Sequence, residues 1–268
     1  MTDPTVTHPT VTDPTVTDPT VAANEASPAA ADEAPGKPVI PALQAEQAVQ
    51  AVWCDYGGVL TSPLDGLFGQ VAAAAGVPAN ELLAAIRRVA APHGGTLIEP
   101  LELGLLTQRE WGLRVTAELA PAWTPQLDLT RFGDHWYAGR TANTALFELL
   151  ARVRARGLRV GMLTNSIREW EPHRQVLAPD VRPWPFEVTI NSFEVALRKP
   201  DPAIFALAES TFGVPPAACL LIDDVAANCA AAQARGWQVI EHADPSRTLR
   251  LLEQWTAAGH GPGIPAEE

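Results

Sequence analysis

Short apolar runs rich in Val, Ile and Leu recur along the chain, at Ala48–Asp55, Leu158–Asn165, Phe186–Asn191, Ala218–Asp223 and Trp237–Glu241. Each has the length and β-branched content of a buried strand. The stretches between them carry helical patterns with clear punctuation. Asn143–Arg156 stops at Gly157, Asp201-Pro202 opens a helix that stops at Gly213, and Asp244-Pro245 opens one that stops at Gly259. Asp before the first turn, Pro at its first position and Gly just past the end match the capping asymmetry of helices. Strand and helix in alternation predict an α/β fold, a Rossmann-like parallel sheet with helices on both faces.

One interval breaks the alternation. From Ser62 to Tyr137 the pattern contains no convincing strand, only helical stretches such as Pro78–Ala90 and Thr107–Leu119, the latter with Thr107 and Glu110 spaced as a capping box. An α-helical insertion straight after the first strand places a cap over that strand's C-terminal end, where ligands of open α/β sheets bind. The expected organisation is therefore a core of residues 41–61 and 138–260 with a helical cap at 62–137. Residues 1–40 open with the repeats TDPTV, THPTV, TDPTV and TDPTV. A Pro in every repeat forbids a helix, and Thr, Asp and Pro bury too little to offset ordering entropy, so a disordered leader is expected there. Residues 261–268 read as a flexible tail.

Composition narrows the function. The 268 residues are 47% hydrophobic with a formal net charge of -12, a field that repels nucleic acid. No run approaches the about 20 apolar residues that span a bilayer, and the N-terminus lacks the basic and apolar regions of a secretory signal. Three cysteines without CxxC spacing, Cys54, Cys219 and Cys229, read as reduced thiols and point to the cytoplasm. Lys37 and Lys199 are the only lysines, which singles out Lys199 within the folded part.

Four places carry candidate chemistry. The first strand ends in Cys54-Asp55-Tyr56-Gly57-Gly58, an Asp at a strand tip before two glycines whose backbone can wrap a small anion; an Asp followed by Gly is equally a turn. The second ends in Leu163-Thr164-Asn165-Ser166, where a hydroxyl can bond a phosphate oxygen or cap the next helix. Lys199 precedes Pro200-Asp201-Pro202, where an ammonium can neutralise a carboxylate and a bound phosphoryl group. Asp223-Asp224 closes the apolar run Leu220–Ile222. Paired carboxylates there repel unless a cation sits between them, and hard oxygen ligands suit Mg²⁺.

Taken together and in this order, Asp55, Thr164, Lys199 and Asp223-Asp224 resemble the four motifs of the haloacid dehalogenase superfamily. The segments Arg198–Phe205 and Leu221–Asn228 carry the similarity most closely, and the insertion resembles its C1-type cap. The resemblance spans about residues 48–255. It implies a hydrolase in which Asp55 is the nucleophile and Thr164 and Lys199 complete the catalytic set. It further implies that Gly58, Thr164, Asn165 and Lys199 bind substrate, and that Asp55, the Gly57 carbonyl, Asp223 and Asp224 hold Mg²⁺. The implied partner is a small phosphorylated metabolite; oligomeric state has no signature.

Gly57 departs from the pattern. In the phosphatase branch a second Asp stands two beyond the nucleophile and serves as general acid and base, a contribution of about 10²–10⁴ in rate. Three readings follow: a Mg²⁺-dependent phosphatase with a substitute proton carrier such as His93, Glu99 or Glu102, or with a leaving group that needs little protonation; a catalytically weak domain that binds a phosphorylated ligand; and a haloacid dehalogenase, against which the Asp223-Asp224 pair argues. A phosphonatase needs a cap lysine, and residues 62–137 contain none.

Overall fold

The computed structural model describes residues 48–95, 97–177, 181 and 183–257. The expected leader at 1–40, the tail at 261–268 and the stop at Gly259 lie outside the described residues. The chain runs β1 (Ala51–Cys54), α1 (Leu67–Ala75), α2 (Ala79–Ala90), α3 (Glu99–Glu102), α4 (Gln108–Leu119), α5 (Phe132–Trp136) and α6 (Thr144–Ala155). It continues through β2 (Arg159–Thr164), α7 (Glu171–Leu177), β3 (Val188–Asn191), α8 (Ser192–Val195), α9 (Pro202–Phe212), β4 (Cys219–Asp223), α10 (Ala226–Ala234), β5 (Gln238–Glu241) and α11 (Pro245–Ala257). All five expected strands form, each shorter than its apolar run by one to four residues where the chain turns away from the ladder. Helices α1, α3, α5, α7, α8 and α10 are ones that the sequence pattern did not single out.

The strands make one parallel sheet in the order β3-β2-β1-β4-β5, with β1 at its centre. Side-chain alternation along β1 divides the core. Val52 and Cys54 pack with Leu146, Phe147 and Leu150 of α6 and Leu252 of α11 on one face. Ala51 and Trp53 pack with Ile204 and Phe205 of α9 and Ala232 of α10 on the other. A strand covered on both faces must be apolar at every position, which is why the expected runs are continuous. Gly161 of β2 serves this packing, since a Cβ there would lie 2.4 Å from the Trp53 ring.

Helix ends follow the punctuation. Asp201 accepts the Ala203 N–H at 2.8 Å ahead of Pro202, and Gly213 closes α9 with φ 66°. Thr107 and Glu110 form the capping box at α4. Between β1 and α6 the chain is wholly helical and has its own apolar core, including Leu82, Ile86, Trp111, Val115 and Phe132. The insertion leaves and returns at one point. Thr61 bridges Ala142, Ser62 N–H donates to Thr141 O at 2.9 Å, and Asn143 N–H donates to Leu60 O at 2.9 Å. The chain thus rejoins the sheet region at Ala142, a few residues beyond the expected Tyr137 boundary. No helix among the described residues is long and apolar enough to cross a membrane.

Candidate active site

Three parallel strands deliver their C-terminal tips to one place. Asp55 follows β1 and extends its ladder, donating its N–H to Ile222 O at 2.9 Å. Thr164 ends β2, and Asp223 ends β4 with Asp224 immediately after. Lys199 arrives from the loop between α8 and α9 and drives its side chain into the gap. Its Nζ lies 2.9 Å from Asp55 Oδ1 and 2.6 Å from Asp223 Oδ2, with only 1% of the side chain exposed. The four motif regions therefore converge.

Each acid has a distinct environment. Asp223 is fully buried, and both its oxygens are engaged: Oδ2 by Lys199, Oδ1 by the Val225 N–H at 2.9 Å and Asn228 Nδ2 at 2.9 Å. Asp224 has a buried Oδ1 with no hydrogen-bond partner. Burial, with the negative charges of Asp55 and Asp223 beside it, pushes its carboxyl up to about 7. Burial also raises Asp55, against the opposing pull of the Lys199 ammonium. Burial alone would lower Lys199, but Asp223 and Asp55 hold it above its ordinary value. One carboxylate oxygen from each acid falls within 4.8 Å of the others. An orphaned buried oxygen among three crowded carboxylates, with one ammonium as counterion, is a donor set that a hard divalent cation fits.

The two glycines divide their duties. Gly58 adopts φ 79°, and a Cβ on it would lie 2.0 Å from Asp224 Oδ2. Its N–H donates to Thr61 Oγ1 at 3.0 Å. Gly58 thus makes room for Asp224 and shapes the loop, and it does not line the cavity into which the anion would come. Gly57 does line that cavity and has no left-handed φ. A Cβ on it would meet Leu64 Cδ1 at 3.3 Å. A leucine methyl occupies the space beside the position that the resemblance assigns to an acid.

Asn165 is tied to Lys199. Its Nδ2 donates to Lys199 O at 2.9 Å and its Oδ1 accepts the Lys199 N–H at 2.8 Å. Both ends of the amide bond the Lys199 backbone, and the residue also lines the cavity, where its second N–H is left for a ligand. Thr164 keeps its hydroxyl in the cavity lining, with a 3.5 Å contact to Asn165 O.

The cavity above these groups has a volume of about 330 Å³, the lower end of the range for small-molecule sites. Its upper wall comes from the insertion and from the segment after β2. Of the three proton-carrier candidates, Glu102 lines this wall, Glu99 lies behind it as a second partner of Arg198, and His93 sits 3.4 Å from Arg114 outside the lining. Burial raises the Glu102 carboxyl, opposed by Arg198, whose Nε lies 2.8 Å away. Asn228, Arg198 and the aromatic wall escaped the sequence reading. Asn228 had a signal, five residues past Asp223 on the first turn of a helix; the wall had none, because its members are distant in sequence.

An α/β fold whose central strand presents an aspartate to a buried lysine and two further acids has the residue set of a hydrolase-type centre. The family model for haloacid dehalogenase-like hydrolases matches residues 49–236, and the chain belongs to that family. It is similar to bifunctional epoxide hydrolase 2 of Rattus norvegicus, 26% identical over 212 residues that cover 75% of this chain and 38% of the relative. Protein CbbY of Rhodobacter capsulatus is 37% identical over 95 residues, 35% of this chain and 41% of the relative. A phosphoserine phosphatase of Thermus thermophilus is 35% identical over 75 residues, 28% of this chain and 29% of the relative. The chain thus spans well under half the length of these relatives.

Two solved structures share the fold. A haloacid dehalogenase family enzyme from Bacteroides thetaiotaomicron, in complex with magnesium and inorganic phosphate, is 20% identical with a TM-score of 0.53, covering 75% of this chain and 98% of that one. A 2-haloacid dehalogenase from Pseudomonas syringae is 18% identical with a TM-score of 0.55, covering 79% and 99%.

Proposed function

We propose that this hydrolase is a Mg²⁺-dependent phosphatase acting on a small phosphorylated metabolite through a phosphoaspartate at Asp55. The observation that carries the reading is the Lys199 ammonium clamped between Asp55 and Asp223, beside an Asp224 oxygen that has no partner in the protein. Asp55, the Gly57 carbonyl and Asp224 would hold the cation, and Asp223 supports it from behind through Lys199 and Asn228. When bound, Mg²⁺ supplies positive charge against the phosphoryl oxygens and relieves repulsion among the acids.

Asp55 forms the new bond to phosphorus as the bond to the leaving oxygen breaks, and water later cleaves the phosphoaspartate to return the carboxylate and release phosphate. Lys199, holding Oδ1, orients the carboxylate so that its other oxygen attacks. The Thr164 hydroxyl donates to a phosphoryl oxygen. Asn165 fixes the Lys199 backbone. The three buried free thiols, Cys54, Cys219 and Cys229, suit a reducing compartment such as the cytoplasm.

Gly57 keeps a second reading alive, a domain that binds a phosphorylated ligand and turns it over weakly. Hydrolysis of a panel of phosphate esters with and without Mg²⁺ separates the two. The phosphatase reading expects metal-dependent turnover that Asp55→Asn lowers by at least about 10³-fold in a variant that remains folded, the scale seen when a nucleophile is removed. Wild-type turnover in the Asn variant, or none by the native chain, overturns it.

A further inference from the structure

One wall of the cavity is aromatic, and among the described residues it carries no positive charge that is not already paired with an acid. Trp136 of α5 and Trp170 after β2 stack with centroids 4.8 Å apart, and Tyr137 meets Trp170 edge-on at 5.6 Å. All three line the cavity, as does Leu64, whose methyl fills the space beside Gly57. The wall's one cation is Arg198, and it is spoken for: Nε by Glu102 at 2.8 Å and Nη1 by Glu99 at 3.4 Å. Glu102 itself faces the cavity. Lys199, the other cation of the lining, is locked on the floor between two aspartates. A second anionic group on a substrate would therefore meet the Glu102 carboxylate, apolar rings and an Arg198 whose charge two acids already balance.

We infer that the leaving group is flat, uncharged and aromatic, so that the substrate class is an aryl phosphate monoester. The inference rests on the phosphatase reading and names its substrate. Rings of this kind gain from edge-to-face and offset contacts with Trp and Tyr. The same choice answers the chemistry at Gly57. With no side chain at Gly57 to donate a proton, the breaking P–O bond leaves its electron pair on the departing oxygen. A phenolate delocalises that charge into its ring and leaves without a proton from the enzyme; an alkoxide does not.

The test uses the full chain with Mg²⁺ and three esters: phenyl phosphate, a fluorinated alkyl phosphate matched to it in leaving-group acidity, and 4-carboxyphenyl phosphate. Phenyl phosphate should exceed the matched alkyl ester in kcat/KM by about tenfold, the scale on which apolar pockets discriminate. The carboxyphenyl ester should fall by a similar factor, about tenfold, because its carboxylate is buried unpaired. Trp136→Leu should narrow the aryl preference. The double change Glu99→Gln with Glu102→Gln frees Arg198 without touching the aromatic core, and should bring the carboxyphenyl ester up towards phenyl phosphate.

Calorimetric binding of phenylphosphonate against propylphosphonate reads the same preference without turnover. Tighter phenylphosphonate binding with no hydrolysis of any ester upholds the aromatic wall and overturns the phosphatase reading. Equal use of the aryl and matched alkyl esters with equal binding of the phosphonates, or efficient cleavage of the carboxyphenyl ester by the native chain, overturns the aryl inference and leaves the phosphatase standing.

Discussion

The side chain of Asn165 and the backbone of Lys199 are joined by two opposed hydrogen bonds, N–H of Lys199 to Oδ1 at 2.8 Å and Nδ2 to Lys199 O at 2.9 Å. The pair ties the tip of β2 to the loop that delivers the buried ammonium, so the amide is placed to position Lys199. Asn165→Ala should lower kcat several-fold while KM for the phosphoryl group changes little. Asn165→Asp should do worse, because it sets a charged acceptor against the Lys199 carbonyl. Steady-state kinetics on the two variants check this; a rise in KM alone would return Asn165 to the substrate-contacting role.

The adjacent glycines should respond to the same substitution in opposite ways. Gly58→Ala forces a side chain into φ 79° and to within 2.0 Å of Asp224 Oδ2, at a cost of about 1–3 kcal/mol for the backbone strain alone. It should also weaken metal binding, since Asp224 must move. Gly57→Ala, with no such φ and only a flexible Leu64 methyl at 3.3 Å, should change stability by under about 1 kcal/mol. Denaturant melts and Mg²⁺ titration calorimetry on both variants decide the matter.

Asp224 makes the metal-free protein sensitive to pH. Its carboxyl rises from an ordinary 3.8 to about 7 on folding, so the folded state binds a proton that the unfolded chain releases. The contribution of Asp224 to stability without metal should therefore be greatest below about pH 4, fall as pH rises to about 7 and level off above. Burial raises Asp55 and Glu102 as well, which adds to the same slope. Mg²⁺ should stabilise most above pH 7 and progressively less below it, where the proton competes. Thermal melts at pH 5 and pH 8, with and without Mg²⁺, read this directly. Asp224→Asn should remove its share of the slope and most of the Mg²⁺ stabilisation. Asp223→Asn should instead cost on the order of 3 kcal/mol by breaking a buried charge pair. Equal metal loss with unchanged stability in both would erase the distinction drawn between the two acids.

Restoring an acid at position 57 should flatten the dependence of rate on leaving-group acidity. The backbone there accepts a side chain, and the obstacle is Leu64. Gly57→Asp combined with Leu64→Ala should therefore accelerate alkyl phosphates by at least about tenfold, within the 10²–10⁴ range of acid–base catalysis, and leave aryl esters nearly unchanged. If native and variant proteins show the same leaving-group dependence, proton transfer comes from elsewhere, and Glu102 in the cavity wall is the first residue to replace.

Strands, sheet type and the helical nature of the insertion were legible because a doubly covered parallel sheet demands continuous apolar runs, and Asp, Pro and Gly mark helix ends locally. The acids stood out as charged residues closing apolar runs, Lys199 as one of only two lysines in the chain, and the resemblance of the set tied them together. What stayed hidden depends on contacts between distant segments. The Asn165 amide looks the same in sequence whether it faces phosphate or Lys199. Gly58 reads as an anion-wrapping glycine until Asp224 is seen against it. Trp136 and Trp170, with the core of α1 and α5, meet only through tertiary packing.

The seam at Thr61 and Ala142 has a consequence for how this protein can change over time. Because the outgoing and returning segments of the chain are stitched to each other there, and Asn143 both caps α6 and donates to Val59 O at 3.1 Å, the insertion is anchored at one seam. Changes within residues 62–141 should therefore reshape the cavity wall first, and should reach the lysine and aspartates at the strand tips only through contacts such as that of Arg198 with Glu102.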